Sequence, residues 1–254
     1  MIVLKNATAP RNDVYRAVPQ TGQSKVHLRN PERLRYIARS RVRVIDTLAI
    51  IVASIALSSC ANTVLLDERF HDNRLINWTV VDDPDTVEGP SDWRVQADGK
   101  LHQLSNIWGR RGDFLGRWYG TYLVTGDPNW TDYELSLKAT PVDDDGFGVV
   151  FRYQNPEHFY RLFFLEDGLS GGPMVRLDRR EGPDYTELWS LKKGYRPGTE
   201  MSIEVTVVGE VIRAAVDGKS LFEVKDIANR RGRVGLFCYA ETEIAFDDVR
   251  VVSR

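Results

Sequence analysis

The chain has 254 residues, of which 42% are hydrophobic and 28% are charged, and its net charge at neutral pH is −2. This length and composition suit one or two globular domains. The net charge hides an asymmetry, because the first 59 residues hold ten lysines and arginines and three acids, which leaves 24 basic and 33 acidic residues after them. An acidic domain without a basic stripe excludes ordinary nucleic-acid binding, so we expect no nucleic-acid partner.

A short apolar run, residues 48–57, follows the three arginines Arg39, Arg41 and Arg43. The run is too short to span a bilayer as a helix, which takes about 20 residues, but it suits the core of a signal peptide. It ends in Leu-Ser-Ser before Cys60, which resembles the lipobox of bacterial lipoproteins. The resemblance implies that Cys60 is acylated and becomes the mature N-terminus, so that a lipid anchors the protein to a membrane. A buried strand or an uncleaved anchor helix is the alternative.

The basic segment before the apolar run is longer than the usual start of a signal peptide. Either it is a long cytoplasmic extension, or translation begins near Val42 or Val44, and we favour the later start. We assign residues 1–59 to a basic extension plus a signal peptide, residues 60–64 to a short tether, and residues 65–254 to one folded domain. Targeting segments take no part in the fold, so residues 1–59 are set aside in predicting it.

The two cysteines of the chain have different predicted roles. Ala61, not aspartate, follows Cys60, and in lipoproteins of didermal bacteria this resembles sorting to the outer membrane, facing the periplasm or the cell surface. Cys238 lies in an apolar, strand-like run, which favours a buried and unreactive thiol. No paired-cysteine spacing indicates a zinc site.

After residue 65 the sequence has the pattern of β-strands. Apolar and polar residues alternate, as in half-buried strands, and Asp-Gly pairs mark turns between them. One such pair, Asp217-Gly218, predicts a hairpin over residues 211–224. Short strands at this spacing, without a convincing amphipathic helix, predict an all-β sandwich or jelly roll. The predicted strands include residues 78–81, 133–138, 148–153, 159–165, 201–207 and 212–216.

Several pieces of the domain carry a family resemblance in chain order. They are Asp-Glu-Arg-Phe at 67–70, Gly-Pro-Ser-Asp-Trp at 89–93, Trp-Thr-Asp-Tyr-Glu-Leu at 130–135, the stretch 143–153 and Ala-Phe-Asp-Asp-Val at 245–249. Together they resemble the concanavalin A-like lectin/glucanase superfamily, including laminin-G-like and thrombospondin C-terminal-like domains and the bacterial modules that accompany polysaccharide-degrading enzymes. The resemblance implies a two-sheet jelly-roll sandwich with one concave face, in which Trp93 and Trp130 belong to the core. The fold hosts lectins, hydrolases, lyases and adhesion modules alike.

Carboxylates suited to glycoside hydrolysis are missing from the sequence pattern. Retaining hydrolysis needs two carboxyl groups about 5–5.5 Å apart, and glucanases of this fold carry them at alternate positions of one strand. No Glu-x-Asp-x-Glu strand is present, and Glu241 and Glu243 lack a third acid at the next alternate position. We therefore expect no catalytic residues of this type, although a lyase or hydrolase acting through other residues stays an alternative.

The predicted ligand site combines two arginines with aromatic rings. If strands 148–153 and 159–165 pair, Arg152 and Arg161 flank one concave surface, which Trp189 and Tyr195 join from later segments. Rings stack on sugar faces and guanidinium groups bind hydroxyls or carboxylates, so the site would suit a glycan, and an acidic sugar in particular. The glycine- and aromatic-rich residues 105–125 would cap one end of this groove. In the alternative, the arginines pair with acids and the rings fill the core.

Calcium is the expected cofactor, at one of two places. The resemblance implies a structural ion where the first and last strands meet, near Glu68, Asp247 and Asp248. The second candidate is the acidic turn with Asp143 and Asp145, since calcium prefers several carboxylate oxygens, although an Asp-Gly hairpin turn explains the same residues.

The sequence therefore predicts a membrane-anchored, lectin-like module that binds a glycan or glycoconjugate on its concave face. The first alternative is a polysaccharide-acting hydrolase or lyase on the same fold. The second is a structural or protein-binding envelope lipoprotein, which a large exposed apolar patch would favour.

Overall fold

The computed structural model describes residues 62–72, 74–84, 86–109, 117–241 and 243–254, and these contain no helix. The predicted signal segment and Cys60 lie outside the described residues. The strands are β1 (Val64–Glu68), β2 (Thr79–Asp82), β3 (Thr86–Val87), β4 (Trp93–Val95), β5 (Leu101–Gln103), β6 (Trp108–Gly109), β7 (Thr121–Thr125), β8 (Tyr133–Pro141), β9 (Gly146–Asn155), β10 (His158–Leu165), β11 (Met174–Glu181), β12 (Asp184–Leu191), β13 (Met201–Val208), β14 (Val211–Val216), β15 (Lys219–Lys225), β16 (Arg233–Tyr239) and β17 (Ile244–Ser253).

Two large antiparallel sheets form a sandwich, which confirms the predicted all-β, two-sheet fold. The eight-stranded sheet has the order β15-β14-β13-β8-β17-β5-β4, and β1 also pairs with β17. The seven-stranded sheet has the order β12-β11-β10-β9-β16-β7-β2. A small third sheet joins β3 to β6. Since β1 pairs with β17, the two ends of the domain lie side by side in one sheet.

The inter-sheet core is built from the inward-facing residues of both sheets. Along β8, Tyr133, Leu135, Leu137 and Ala139 are buried and alternate with half-exposed residues. This period of two is the pattern of a sheet with one face in the core and the other in water. The eight-stranded sheet therefore has one solvated face.

The central strands of the seven-stranded sheet are buried on both faces. Residues 147–151 and 159–165 form unbroken buried runs in β9 and β10. One face meets the inter-sheet core, and the other carries a second apolar cluster, called here the outer cluster, that includes Tyr122, Phe159, Phe163 and Phe237. Strands buried on both faces are usually continuous apolar runs. Residues 147–151 show this pattern, whereas residues 159–165 include the charged Arg161.

The predicted hairpin over residues 211–224 is present as β14 and β15. Asp217 and Gly218 have φ angles of 49° and 70°. Two consecutive residues with positive φ make the turn that matches the twist of paired strands, and Asp-Gly favours it. No helix among the described residues is long and apolar enough to cross a membrane.

Candidate functional site

Arg161, the first predicted ligand residue, lies fully buried in the outer cluster. Its guanidinium carbon is 4.5 Å from the ring centroid of Tyr185 and 4.6 Å from that of Phe237. The group donates to the carbonyl oxygen of Trp118 at 3.0 Å and to the carboxylate of Asp178 at 2.9 Å. Its charge is thus neutralised inside the protein, and it presents nothing to a ligand from solvent.

A second buried ion pair closes the same face. Arg180 donates to Asp83 at 2.7 Å, and the carboxylate of Asp83 also accepts from the Tyr122 hydroxyl at 2.7 Å and from the Gly120 amide at 3.1 Å. Burial raises the pKa of Tyr122 well above its usual value, which keeps the phenol protonated as a donor. The arginines of this face are therefore paired with aspartates and packed against aromatic rings within the protein.

Arg152 points away from Arg161. Two residues of β9 oppose Val234 of β16, which makes a bulge, and Arg152 occupies it with a φ of 47°. A bulge turns a side chain out of the regular alternation. The guanidinium group therefore donates to the carbonyl oxygens of Thr131 and Gly209, at 3.1 and 2.8 Å, on the side of the eight-stranded sheet. The structure corrects the prediction that the two arginines share one surface.

Trp189 and Tyr195 do not join either arginine. Trp189 packs on Phe222 with ring centroids 4.7 Å apart, where the two sheets meet at one edge. Tyr195 packs its ring against Phe147 of the inter-sheet core, with centroids 5.0 Å apart, and directs its hydroxyl at the backbone of the acidic turn. The four predicted residues thus lie in three places instead of one groove.

The carboxylates of the first calcium prediction do not gather into one site. Asp248 pairs with Lys138 at 2.9 Å, and this hydrogen bond lowers the pKa of the carboxyl group. Glu68 accepts from the amide of Phe70 at 2.8 Å, and Asp247 accepts from the amide of Asp248. An ammonium group already neutralises Asp248, so this part of the calcium prediction is not supported by the geometry.

The acidic turn keeps its side chains close together. In the described part of the chain, Asp143, Asp144 and Asp145 are the one group of at least three possible metal ligands with atoms within 4.8 Å of one another. Burial and the two neighbouring aspartates raise the pKa of Asp145 to about 7. Burial raises the pKa of Glu241, which accepts from the Asp143 amide at 2.8 Å, to about 8. Calcium at this turn stays a prediction.

A cleft opens at the edge of the sandwich formed by β1 and β2, and we call it the Trp130 cleft. It has a volume of about 550 Å³. Leu65 and Leu66 of β1 form one wall, while Thr79 of β2 and Arg233 of β16 come from the seven-stranded sheet. Trp130 lies between them in the turn that follows β7. One indole ring, threonine hydroxyl groups and a guanidinium group therefore line one open space.

Local chain geometry fixes the position of Trp130. Gly126 has a φ of 100°, and a Cβ atom there would lie 2.3 Å from the indole ring, so only glycine leaves room for the ring. The Trp130 amide donates to the carbonyl of Asp127 at 3.2 Å, and its carbonyl accepts from the Gly232 amide at 3.0 Å. The predicted core residue is only half-buried, because one side packs on the core and the rest lines the cleft.

No motif in the sequence predicted this cleft. Its lining residues come from β1, from the segment around Asn77, from the turn after β7 and from β16, which lie far apart in the chain. Asn77 itself has a φ of 65°, and its carbonyl accepts from the Thr125 hydroxyl at 3.1 Å. The one local indication was that Trp130 follows the Asp127-Pro128 pair by two residues, since an Asp-Pro pair favours a turn.

A second cleft, of about 570 Å³, opens at the opposite edge. Phe164, Val175 and Met201 of the inter-sheet core line it, together with the basic residues Lys193, Arg196 and Lys219 and the acids Glu166, Glu200 and Asp217. It contains Tyr195 as its one ring with a hydroxyl, but that hydroxyl is used by the acidic turn. This cleft therefore offers a sugar less than the Trp130 cleft does.

Comparison with solved structures finds the same type of β-sandwich in other proteins. The carbohydrate-binding module CBM66 from Bacillus subtilis matches with a TM-score of 0.55 at 13% identity, over 70% of this chain and 96% of that one. A protein of unknown function with a galectin-like fold from Bacillus subtilis matches with a TM-score of 0.52 at 10% identity, over 76% and 97%. A xylan β-1,4-xylosidase from Bacillus halodurans matches with a TM-score of 0.52 at 12% identity, over 74% of this chain and 39% of the enzyme.

At such identities the likeness shows the fold alone, and it confirms the predicted two-sheet β-sandwich. No protein-family model and no curated protein matches the chain.

Proposed function

We propose that this protein is an exported, lipid-anchored carbohydrate-binding module whose ligand lies in the Trp130 cleft. The observation that carries the proposal is the cleft itself, where a half-buried indole, a guanidinium group and exposed polar side chains line one open space of about 550 Å³. That volume is within the range of small-ligand sites.

The chemistry of the cleft fits a sugar better than an apolar ligand. A pyranose ring has apolar faces and a rim of hydroxyl groups, so it needs an aromatic surface and hydrogen-bonding groups together. Trp130 offers the first, while Asn77, Thr79 and Arg233 offer the second. Leu65 and Leu66 add an apolar wall beside the ring.

The fold supports the same function. A solved structure of similar architecture is described as a carbohydrate-binding module. The outer face of the seven-stranded sheet, by contrast, is filled by paired arginines, aspartates and rings. We therefore place the ligand at the edge of the sandwich, and this replaces the concave-face site expected from the sequence.

The lipid anchor rests on the sequence pattern before the domain. Arginines, a short apolar run and Leu-Ser-Ser before Cys60 agree on export and acylation. β1 begins at Val64, so an acylated Cys60 would hold the cleft close to an envelope membrane, and the resemblance at Ala61 indicates the outer membrane. Incorporation of a labelled fatty acid should occur in the natural chain and be lost in Cys60→Ala, and label that survives the substitution would contradict the anchor.

Binding by the detergent-solubilised full chain tests the cleft. A panel of neutral and acidic soluble polysaccharides is run in affinity gels, with calorimetry on those that retard the protein. Trp130→Ala should weaken binding more than tenfold, since a central aromatic residue contributes more than about 1.4 kcal/mol to such contacts. Because this change also removes packing on the core, Thr79→Ala serves as the variant that leaves the fold intact, and it should weaken binding severalfold.

The matched control is Thr186→Ala. Thr186 is exposed on β12, the edge strand at the other side of the same sheet. The affinity of Thr186→Ala for each bound polysaccharide should equal that of the natural chain. Equal affinities for all three variants would exclude the Trp130 cleft, and release of reducing sugars from a bound polysaccharide would instead favour the hydrolase or lyase.

A further inference from the structure

The arginines of the domain divide into two groups by their partners. Eleven of those that the structure describes lie within 4.0 Å of a carboxylate. Those of the described chain without such an ion pair are Arg196, Arg230, Arg231, Arg233 and Arg250. Three of these five fall within four consecutive residues, at the start of β16. A domain with more acids than bases thus leaves a local cluster of positive charge unpaired.

This cluster is attached to the wall of the Trp130 cleft. Arg231 donates to the side-chain oxygen of Asn129 at 3.1 Å, and the Gly232 amide donates to the Trp130 carbonyl at 3.0 Å. Gly232 has a φ of 150°, and a Cβ atom there would lie 2.3 Å from the backbone of Arg152, so the segment passes directly over β9. Its course is therefore fixed, and it brings Arg233 into the cleft lining.

The acid that stands nearest in the lining does not neutralise Arg233. Asp127 accepts from the amide and from the side chain of Asn129, at 2.8 and 3.1 Å through one carboxylate oxygen, in a turn of its own. It makes no ion pair with any arginine of the described chain. A half-buried guanidinium group that makes no ion pair with the described residues is a fitting partner for an anion from outside, and its fork matches a carboxylate.

We propose that the Trp130 cleft selects acidic glycans, and that Arg233 binds the carboxylate of a uronic acid residue whose ring packs on Trp130. The inference rests on the proposed function and adds the ligand class. Arg231 contacts Asn129, next to Trp130 in the chain, and Arg230 is exposed beside it, so both add positive charge that attracts a polyanion at low salt. Arg152 and Arg161, which the sequence predicted to bind an acidic sugar, are buried in internal contacts, and Arg233 takes that role.

The test compares polysaccharides that differ only in charge. Polygalacturonate, alginate and hyaluronan are each offered to the full chain beside their own methyl esters, which keep the backbone and convert the carboxylate to a neutral ester. The natural chain should bind at least one of the acids ten times more tightly than its ester. In Arg233→Ala this preference should fall to about one, and Arg233→Lys should restore part of it, because an ammonium group keeps the charge without the fork.

Arg213→Ala is the control for total charge. Arg213 is exposed on β14 and pairs with Glu223 at 2.7 Å, away from the cleft lining. It should keep the full preference. The acidic preference should also shrink as salt rises from about 50 to 500 mM, because rim charges are screened over that range.

The outcomes separate the two proposals. Equal affinity for acid and ester, or a preference that survives Arg233→Ala, overturns acidic selectivity and leaves carbohydrate binding in place if Trp130→Ala still weakens it. Polyphosphate bound as tightly as the acidic glycans overturns selectivity too, since charge alone would explain it. Absence of binding to every polysaccharide overturns the proposed function itself.

Discussion

Two regions of this domain use arginines and aromatic rings, and they use them in opposite ways. On the outer face of the seven-stranded sheet, Arg161 and Arg180 are buried and each has an aspartate partner, Asp178 and Asp83. In the Trp130 cleft, Arg233 stands beside an indole without such a partner among the described residues. The residue types are the same, and the presence of a carboxylate partner within the fold decides whether the charge is available.

The difference shows why composition is a poor guide to a binding site. A buried guanidinium group must be neutralised, because an unpaired charge in a low dielectric is very costly. The outer face meets this demand from within the chain and is thereby closed. A half-exposed arginine has no such demand, since water solvates it, and it stays free to exchange water for a ligand.

Removal of one buried partner should have the largest effect. Asp178→Ala leaves Arg161 buried without its carboxylate, and Arg176 also contacts that carboxylate. The free energy of unfolding in urea should fall by about 3–5 kcal/mol, as for other broken buried pairs. Glycan binding per folded molecule should not change, because the cleft is elsewhere.

The control for this experiment is Glu223→Ala, which breaks the exposed pair with Arg213. An exposed pair contributes about 0–1 kcal/mol, so this change should be small. Equal effects of the two substitutions would show that the outer face is not an internally completed ionic network and would remove the basis of the comparison.

Glu241 extends the comparison to a buried acid without a cation. It is fully buried and makes no ion pair with a described lysine or arginine, and burial raises its pKa to about 8. Because the folded pKa lies above the unfolded value, the native state binds the extra proton, and the stabilisation present below about pH 4.5 is lost as the pH rises to about 8. Glu241→Gln mimics the protonated acid, so the difference in stability, variant minus natural chain, should grow by roughly 2–4 kcal/mol between pH 5 and 9.

Thermal melting across that pH range measures the difference. Glu204→Gln, an exposed position on β13, provides the matched control and should show no such trend. A difference between Glu241→Gln and the natural chain that stays constant with pH would mean that Glu241 is ionised in the folded protein throughout.

Calcium at the acidic turn should have the smallest effect. Extracellular calcium sites have dissociation constants of about 10⁻⁴–10⁻³ M, so 10 mM calcium would stabilise the native state by about 1.4 kcal/mol at the weaker end. The melting temperature should rise by a few degrees in the natural chain and not in Asp145→Asn. The same rise in both would assign the ion to another place, and no rise in either would exclude a calcium site in this range.

The sequence by itself determined the architecture. Alternation of apolar and polar residues along 133–138, the strand-like stretches 148–153 and 159–165 and the Asp217-Gly218 turn predicted strands and a hairpin that the structure contains. These signals are local, because the period of burial and the turn conformation depend on neighbours in the chain. The family resemblance of the ordered pieces added the expectation that these strands form a two-sheet sandwich.

Only the tertiary structure decided the site. The β-bulge turns Arg152 away from Arg161. Arg161 is buried in an ion pair with Asp178, which lies 17 residues further along the chain. The Trp130 cleft needs strands from both ends of the domain, and Arg233 lines it without an ion pair to any described carboxylate. Whether a charged side chain is available depends on which distant carboxylate the fold brings to it, and no local pattern in the sequence records that.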